Sequence, residues 1–138
     1  VTRYSLDTDH VTAVLKKDKS VSAKLQSSLK LNNEIVVCPY VYYEIRRILL
    51  ARNAQVQLSA LASLVAPLPW LEFNKEIWLL AAETWASARS MGSHHSDPDL
   101  LIACHARYFN AVVVTANTKH FEVHAVGVEN WRDESRQF

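Results

Sequence analysis

A chain of 138 residues with 49% apolar and 21% charged side chains has the composition of a globular domain, which excludes a disordered tail or a fibrous repeat. A formal net charge of +1 excludes recognition of nucleic acid by bulk charge, so such a role must rest on a local patch. Two glycines and four prolines argue for helices joined by short loops and against a β-sandwich.

Arg3-Tyr4-Ser5-Leu6 predicts a first strand that ends at Asp7-Thr8-Asp9, with a helix following through Val11, Val14 and Leu15. The polar link 16–20 leads to a weaker helix carrying Val21, Leu25, Leu29 and Leu31. Glu34-Ile35-Val36-Val37-Cys38 predicts the second strand, and Pro39 opens a long helix with Val41, Ile45, Ile48 and Leu49 at helical spacing. Another helix is expected over 55–66, and a short strand over 68–73 after Pro67. Residues 76–91 form an amphipathic pattern that Gly92 ends, being free to take positive φ.

The run Leu100-Leu101-Ile102-Ala103-Cys104-His105-Ala106 has almost no polar side and predicts a helix buried nearly all round. Pro98 suits its first position, Asp97 the N-cap before it, and Asp99 its first turn. Val112-Val113-Val114-Thr115 predicts a strand covered on both faces, and 125–129 a last short strand. Strands alternating with helices mean a mostly parallel sheet of four to five strands in a three-layer α/β/α sandwich, and residues 1–138 read as one domain. Cys38 and Cys104 lack metal-ligand spacing and read as buried, reduced thiols of a cytoplasmic protein. No stretch approaches a membrane span, and no signal peptide is evident in a chain that begins Val1-Thr2.

Against this frame the acids fall at one edge. Asp7 ends the first strand, where the carboxyl ends of a parallel sheet form a cleft. Glu44 lies roughly 90° from the apolar stripe of its helix, at ~100° per residue. Asp99 opens the buried helix, and Asn117 follows the strand ending in Thr115. Singly, each has a plainer reading: Asp7 and Asn117 as turn residues, Glu44 as a solvated acid, Asp97 and Asp99 as charges complementing a helix dipole. Together they form an oxygen-only set, which selects Mg²⁺ or Mn²⁺ over zinc and suits phosphodiester hydrolysis.

Leu6-Asp7-Thr8-Asp9, Glu44-Ile45-Arg46-Arg47, Asp97-Pro98-Asp99-Leu100-Leu101-Ile102-Ala103 and Val114-Thr115-Ala116-Asn117-Thr118-Lys119-His120-Phe121 occur in that order, followed by Val128-Glu129-Asn130-Trp131. In these blocks the chain resembles the PIN domains, and most of all the VapC-type ribonuclease toxins of bacterial toxin–antitoxin pairs. The resemblance implies a metal-dependent endoribonuclease with Asp7, Glu44, Asp99 and Asn117 in catalysis. Asp7 and Asp99 would be the principal metal ligands, with Glu44, Asp97 and Asp9 secondary. It also implies a cognate antitoxin and a homodimer, whose contacts would draw on Val11, Val14, Leu15, Val41 and Leu49. One departure is Ser93-His94-His95-Ser96, where many relatives have an Ile-Gly step.

Arg46, Arg47, Thr115 and Lys119 are candidate RNA contacts, with Arg52, Arg89 and Arg107 as further rim cations. His94, His95 and His105 lack the spacing of a zinc site. Tyr40, Tyr42, Tyr43 and the four tryptophans read mainly as packing, with stacking on bases as the alternative. Asp7-Thr8-Asp9-His10-Val11 also fits the Asp-x-Asp signature of haloacid-dehalogenase-like phosphatases, in which Asp7 would be a nucleophile and Lys75 the phosphate-binding lysine. A third reading is a catalytically silent PIN-like module that binds RNA or protein.

Overall fold

The computed structural model describes residues 1–132, so the end of the expected domain, 133–138, lies outside the described residues. The chain runs β1 (Arg3–Leu6), α1 (Thr8–Leu15), α2 (Lys19–Lys30), β2 (Glu34–Val36), α3 (Pro39–Ala51), α4 (Gln55–Val65), α5 (Lys75–Ser90), α6 (Asp97–Tyr108), β3 (Ala111–Val114), α7 (Thr118–Glu122) and β4 (Val128–Glu129). The strands form one parallel sheet in the order β2-β1-β3-β4, flanked by helices. Connections from β1 therefore leave to opposite sides: to β2 on one, and eventually to β3 on the other. The carboxyl edge between β1 and β3 is the point where the winding reverses, and such a point leaves a crevice.

Burial explains why the apolar runs became these elements. Leu6, Ile35, Val36, Val113 and Val114 are almost wholly buried along the sheet, and Val11, Val41, Ile102 and Ala103 cover it from the helices. A smaller cluster joins Ile77 and Ala81 of α5 to Leu100 and Cys104 of α6. As expected, α6 is buried almost all round, and both cysteines are free and buried. Gly92 follows α5 with φ +77°, the left-handed conformation its position requires.

Several local expectations need correction. Residues 68–73 form no strand. Pro69 removes a ladder donor, and the segment is held instead by Phe73 packing and by His105, whose Nε2 donates to the Leu71 carbonyl at 2.7 Å. The last strand is only Val128–Glu129, because Ala125 turns the chain with φ +55°. The N-cap of α6 is Ser96, not Asp97, with its Oγ accepting from Asp99 N–H at 3.5 Å. Asp97 thus sits inside the first turn, exposed. Val11 and Val41 are fully buried in the core and cannot be contacts to another chain. Of the tryptophans only Trp131 is buried; Trp70, Trp78 and Trp85 are about half exposed. Among the described residues no helix is long and apolar enough to cross a membrane.

Candidate active site

Asp7 stands at the winding reversal and is fixed from several directions. Its N–H extends the β1–β3 ladder by donating to the Val114 carbonyl at 2.9 Å. Its side chain then caps α1, Oδ1 accepting from Thr8 N–H at 2.7 Å. Oδ2 accepts from the Thr115 hydroxyl at 2.9 Å. Asp7 is only 7% exposed. Burial raises its carboxyl, and the charges of Asp9 and Asp99 add to that. The Thr8 and Thr115 hydrogen bonds offset part, which leaves a pKa of about 6.

Glu44 faces the same edge from the middle of α3, half-buried, with Oε1 accepting from the Thr8 hydroxyl at 2.9 Å. Thr8 therefore uses its N–H on Asp7 and its hydroxyl on Glu44, tying two acids to one residue. Asp99 projects from the first turn of α6, its side chain 28% exposed, and Oδ2 lies 3.4 Å from His120 Nδ1 on α7. Asp97 reaches the rim from the same turn and is felt by Tyr40. The Tyr40 hydroxyl is pushed up first by burial and next by Glu44, with Asp97 adding to it.

Asp9 has other employment. Its Oδ1 accepts from His10 Nδ1 at 2.7 Å and its Oδ2 from Ala116 N–H at 2.9 Å. Burial pushes the Asp9 carboxyl up, but the His10 and Ala116 hydrogen bonds, helped by Arg132, outweigh it and hold it low. His10 is fully buried, and its Nε2 accepts from Trp131 N–H at 3.0 Å, so the ring proton sits on Nδ1 and goes to Asp9. This chain of bonds clamps α1, the turn after β3 and the segment after β4.

The expected substrate contacts divide. Arg46, Arg47 and Lys119 are exposed. Thr115 is fully buried and cannot touch substrate; its hydroxyl donates to Asp7 and accepts from Asn117 N–H at 3.0 Å. Asn117 itself is exposed and makes no side-chain cap to α7. The sequence reading missed Thr8, His10, Ser96 and His120. His10 carried a signal as a histidine next to an acid at a strand end, and Ser96 as a serine before the helix with an acid three residues on. His105 is a core residue between Phe73 and Phe109, and burial pushes its pKa down.

Every oxygen of the acid set is hard, and the Asp7 carboxyl, pushed up chiefly by burial, is pushed further by the negative charges of Asp9 and Asp99. Among the described residues no three His, Cys, Asp or Glu side chains are gathered tightly enough to enclose an ion.

This combination of a parallel α/β fold and an acid-lined winding reversal is matched by a known family. The model for the PIN domain aligns with residues 4–126, and the chain belongs to that family. Its relatives include Ribonuclease VapC1 of Haemophilus influenzae strain R2866, 29% identical over 120 residues that cover 86% of this chain and 90% of the relative. Among solved structures, VapBC2 from Rickettsia felis bound to a DNA fragment from its promoter superposes with a TM-score of 0.86 at 26% identity, covering 95% of this chain and 100% of the other. VapBC-1 from nontypeable Haemophilus influenzae gives 0.81 at 26% identity, covering 94% and 98%. Family membership displaces the dehalogenase-like alternative.

Proposed function

We propose that this protein is a metal-dependent endoribonuclease and the toxin of a toxin–antitoxin pair, held silent by a cognate antitoxin. The observation that carries the reading is the buried Asp7 carboxylate, raised in part by Asp99, at the winding reversal of a PIN fold. The ribonuclease names of its relatives and the VapBC complexes among its structural neighbours supply the biological setting.

Asp7 and Asp99 would hold Mg²⁺ or Mn²⁺, with Glu44 and the exposed Asp97 completing the acid rim. When bound, that ion supplies a polarised phosphoryl oxygen and a more acidic water. The chain's own residues do the positioning. Thr115 and Thr8 N–H hold the Asp7 carboxylate rigid, and the Thr8 hydroxyl orients Glu44. Asn117, exposed on the turn after β3, offers an amide at the substrate side without adding charge. Asp9 is a positioning residue that fixes that turn through Ala116.

The antitoxin's place would be a groove of about 410 Å³ between α1, α3 and α4, lined by Leu15, Ile45, Ile48 and Leu49 with Thr8 at its end. An apolar segment lying there would reach the acid edge, where a basic side chain of the partner could meet Glu44. Dimer formation belongs to the same reading, with contacts that exclude Val11 and Val41.

The test is cleavage of a mixed RNA pool by the purified protein in Mg²⁺ or Mn²⁺. Activity is expected to stop in EDTA and in Asp99→Asn. Cleavage that persists in both, or is absent from the intact protein in both metals, defeats the reading.

A further inference from the structure

Ser93 and His95, in the segment that departs from the pattern of many PIN domains, wall a cavity of about 570 Å³ between α5, the last turn of α6 and the turn after α7. Each of these elements brings a polar group to the lining: Glu83 and Ser87 from α5, Arg107 from α6 and His124 from beyond α7. His124 is only 3% exposed, and its Nε2 is buried without a hydrogen-bond partner among the described residues. The His95 ring packs edge-on against it, with centroids 4.4 Å apart. Burial pushes the His124 pKa down, and His95 and Arg107 push it further against the opposing charge of Asp99. A neutral ring with one N–H to give thus lies near a guanidinium. Arg107 is half-buried and makes no ion pair among the described residues. An orphaned buried nitrogen and an unpaired, half-buried cation on one cavity are costly until a ligand pairs with them. This cavity is not the acid edge, because Arg107 stands about two turns of α6 from Asp99, ~12 Å along the helix axis.

We propose that the cavity between Arg107, His124, Ser93 and Glu83 is a binding site for a phosphate monoester group, apart from the acid edge. The site stands whether or not the chain cleaves RNA. Arg107 supplies positive charge in the forked geometry that fits phosphate oxygens. His124 and the hydroxyls of Ser87 and Ser93 supply neutral donors. Glu83 narrows the class of ligand. It is the one acid in the lining and is exposed, and it repels an anion that has no proton to share. A phosphate monoester titrates near pH 6 and, as its monoanion, carries an O–H that donates to a carboxylate. Sulfate and the phosphodiesters of an RNA backbone carry no such proton, so the lining favours a terminal phosphate over both. That group can belong to a free mononucleotide or to the end of an RNA strand, and the chemistry of recognition is the same. A ligand held between Ser93 and Arg107 also ties the segment that enters α6 to the end of that helix.

The test is binding of inorganic phosphate to the full chain in EDTA at pH 7, by calorimetry and by melting temperature, against sulfate at matched ionic strength. Phosphate is expected to bind and to raise the melting temperature, and sulfate to do neither. Arg107→Gln should weaken phosphate binding by about tenfold or more, since it removes a charge-assisted contact. Arg46→Gln, on α3 beside the acid edge, should leave phosphate binding as it is. Glu83→Gln changes an exposed side chain and keeps the test open if Arg107→Gln folds poorly; it should admit sulfate as well as phosphate. Equal phosphate binding by Arg107→Gln and the intact chain overturns the proposal. So does sulfate bound by the intact chain as tightly as phosphate, or still refused by Glu83→Gln. Loss of phosphate binding in Arg46→Gln instead of Arg107→Gln would place the anion at the acid edge and overturns it too. Adenosine monophosphate and a ten-nucleotide RNA with and without a 5′-phosphate then identify the source. Arg107-dependent binding of the mononucleotide, with the two RNAs alike, assigns a free ligand; Arg107-dependent preference for the phosphorylated RNA assigns a strand end. Phosphate binding without RNA cleavage in either metal keeps this site and removes the nuclease, and cleavage without phosphate binding does the reverse.

Discussion

Thr115 donates its hydroxyl to Asp7 Oδ2 across the β1–β3 seam at 2.9 Å, joining residues 108 positions apart in the chain. Thr115 Oγ1 also accepts from Asn117 N–H at 3.0 Å, so one buried hydroxyl holds both the central acid and the turn bearing the candidate amide. Thr115→Val keeps the shape and removes both bonds. The loss falls on a charged group when Asp7 is ionised, for which such a bond contributes about 1.5–3 kcal/mol. Thermal denaturation should therefore show a larger destabilisation at pH 8 than at pH 5, with cleavage reduced at both. An equal melting-point change at the two pH values would mean that the bond to Asp7 matters little.

The raised Asp7 carboxyl makes a second prediction, with a definite sign. The folded protein retains this proton to about pH 6, whereas the unfolded chain releases it near the ordinary aspartate value of 3.8. The native state thus binds more protons between those values, and the metal-free protein loses stability as pH rises through them, by about 2–3 kcal/mol in all. Asp7→Asn removes the dependence. Its melting temperature in EDTA should change little between pH 5 and pH 8, where that of the intact chain falls, and it should cleave no RNA. Added Mg²⁺ should raise the melting temperature of the intact chain at pH 8 and leave that of the variant in place. Parallel pH profiles for the two proteins would contradict the account.

Asp9 tests the division between ligands and positioning residues. Both of its oxygens accept hydrogen bonds, from His10 Nδ1 and from Ala116 N–H. Asp9→Asn offers only one acceptor atom, so the amide nitrogen must face one of two donors. The cost expected is about 1–3 kcal/mol for the group left unsatisfied. Unfolding in urea should register it, and Mg²⁺ affinity measured by calorimetry should change less than in Asp99→Asn. Mg²⁺ affinity lost with stability intact would return Asp9 to the ligands.

Why some of this was legible in the chain and some not follows from range. Val112-Val113-Val114 and Leu100-Leu101-Ile102-Ala103 announce a covered strand and a buried helix because continuous apolar runs leave few other solutions. Pro39 and Gly92 mark helix ends through local backbone chemistry. The segment 68–73 misleads because apolar content alone cannot distinguish an edge strand from a loop pinned by side chains. His105 and Phe73 decided it from elsewhere in the fold. The acids could be placed at one edge by topology, yet their partners could not. Thr115 reads as a substrate contact until its burial shows the hydroxyl turned inward to Asp7. Asp9 reads as a secondary ligand, and its bonds from the adjacent His10 and the distant Ala116 are ones that the sequence alone could not supply.

The entrance to α6 yields the last prediction. Pro98 at the first helical position would make Asp97 the cap, but the helix starts one residue earlier and Ser96 is the cap. Its Oγ accepts from Asp99 N–H at 3.5 Å, a long bond, so Ser96→Ala should cost near the lower end of the usual range of about 0.5–2 kcal/mol. Asp97, exposed in the first turn, has a favourable relation to the helix dipole, so Asp97→Ala should cost about 0.3–1 kcal/mol. Asp99 has the same favourable relation to the dipole, and it lies 3.4 Å from His120 and raises the Asp7 carboxyl. A cation near this helix end is repelled by the dipole and needs a full carboxylate to hold it. Asp99→Asn should therefore abolish cleavage with a small change in melting temperature, Asp97→Ala should reduce it partly, and Ser96→Ala should lower stability while most of the activity remains. Cleavage rates and melting curves for the three variants separate these roles, and activity surviving in Asp99→Asn but lost in Asp97→Ala would exchange them.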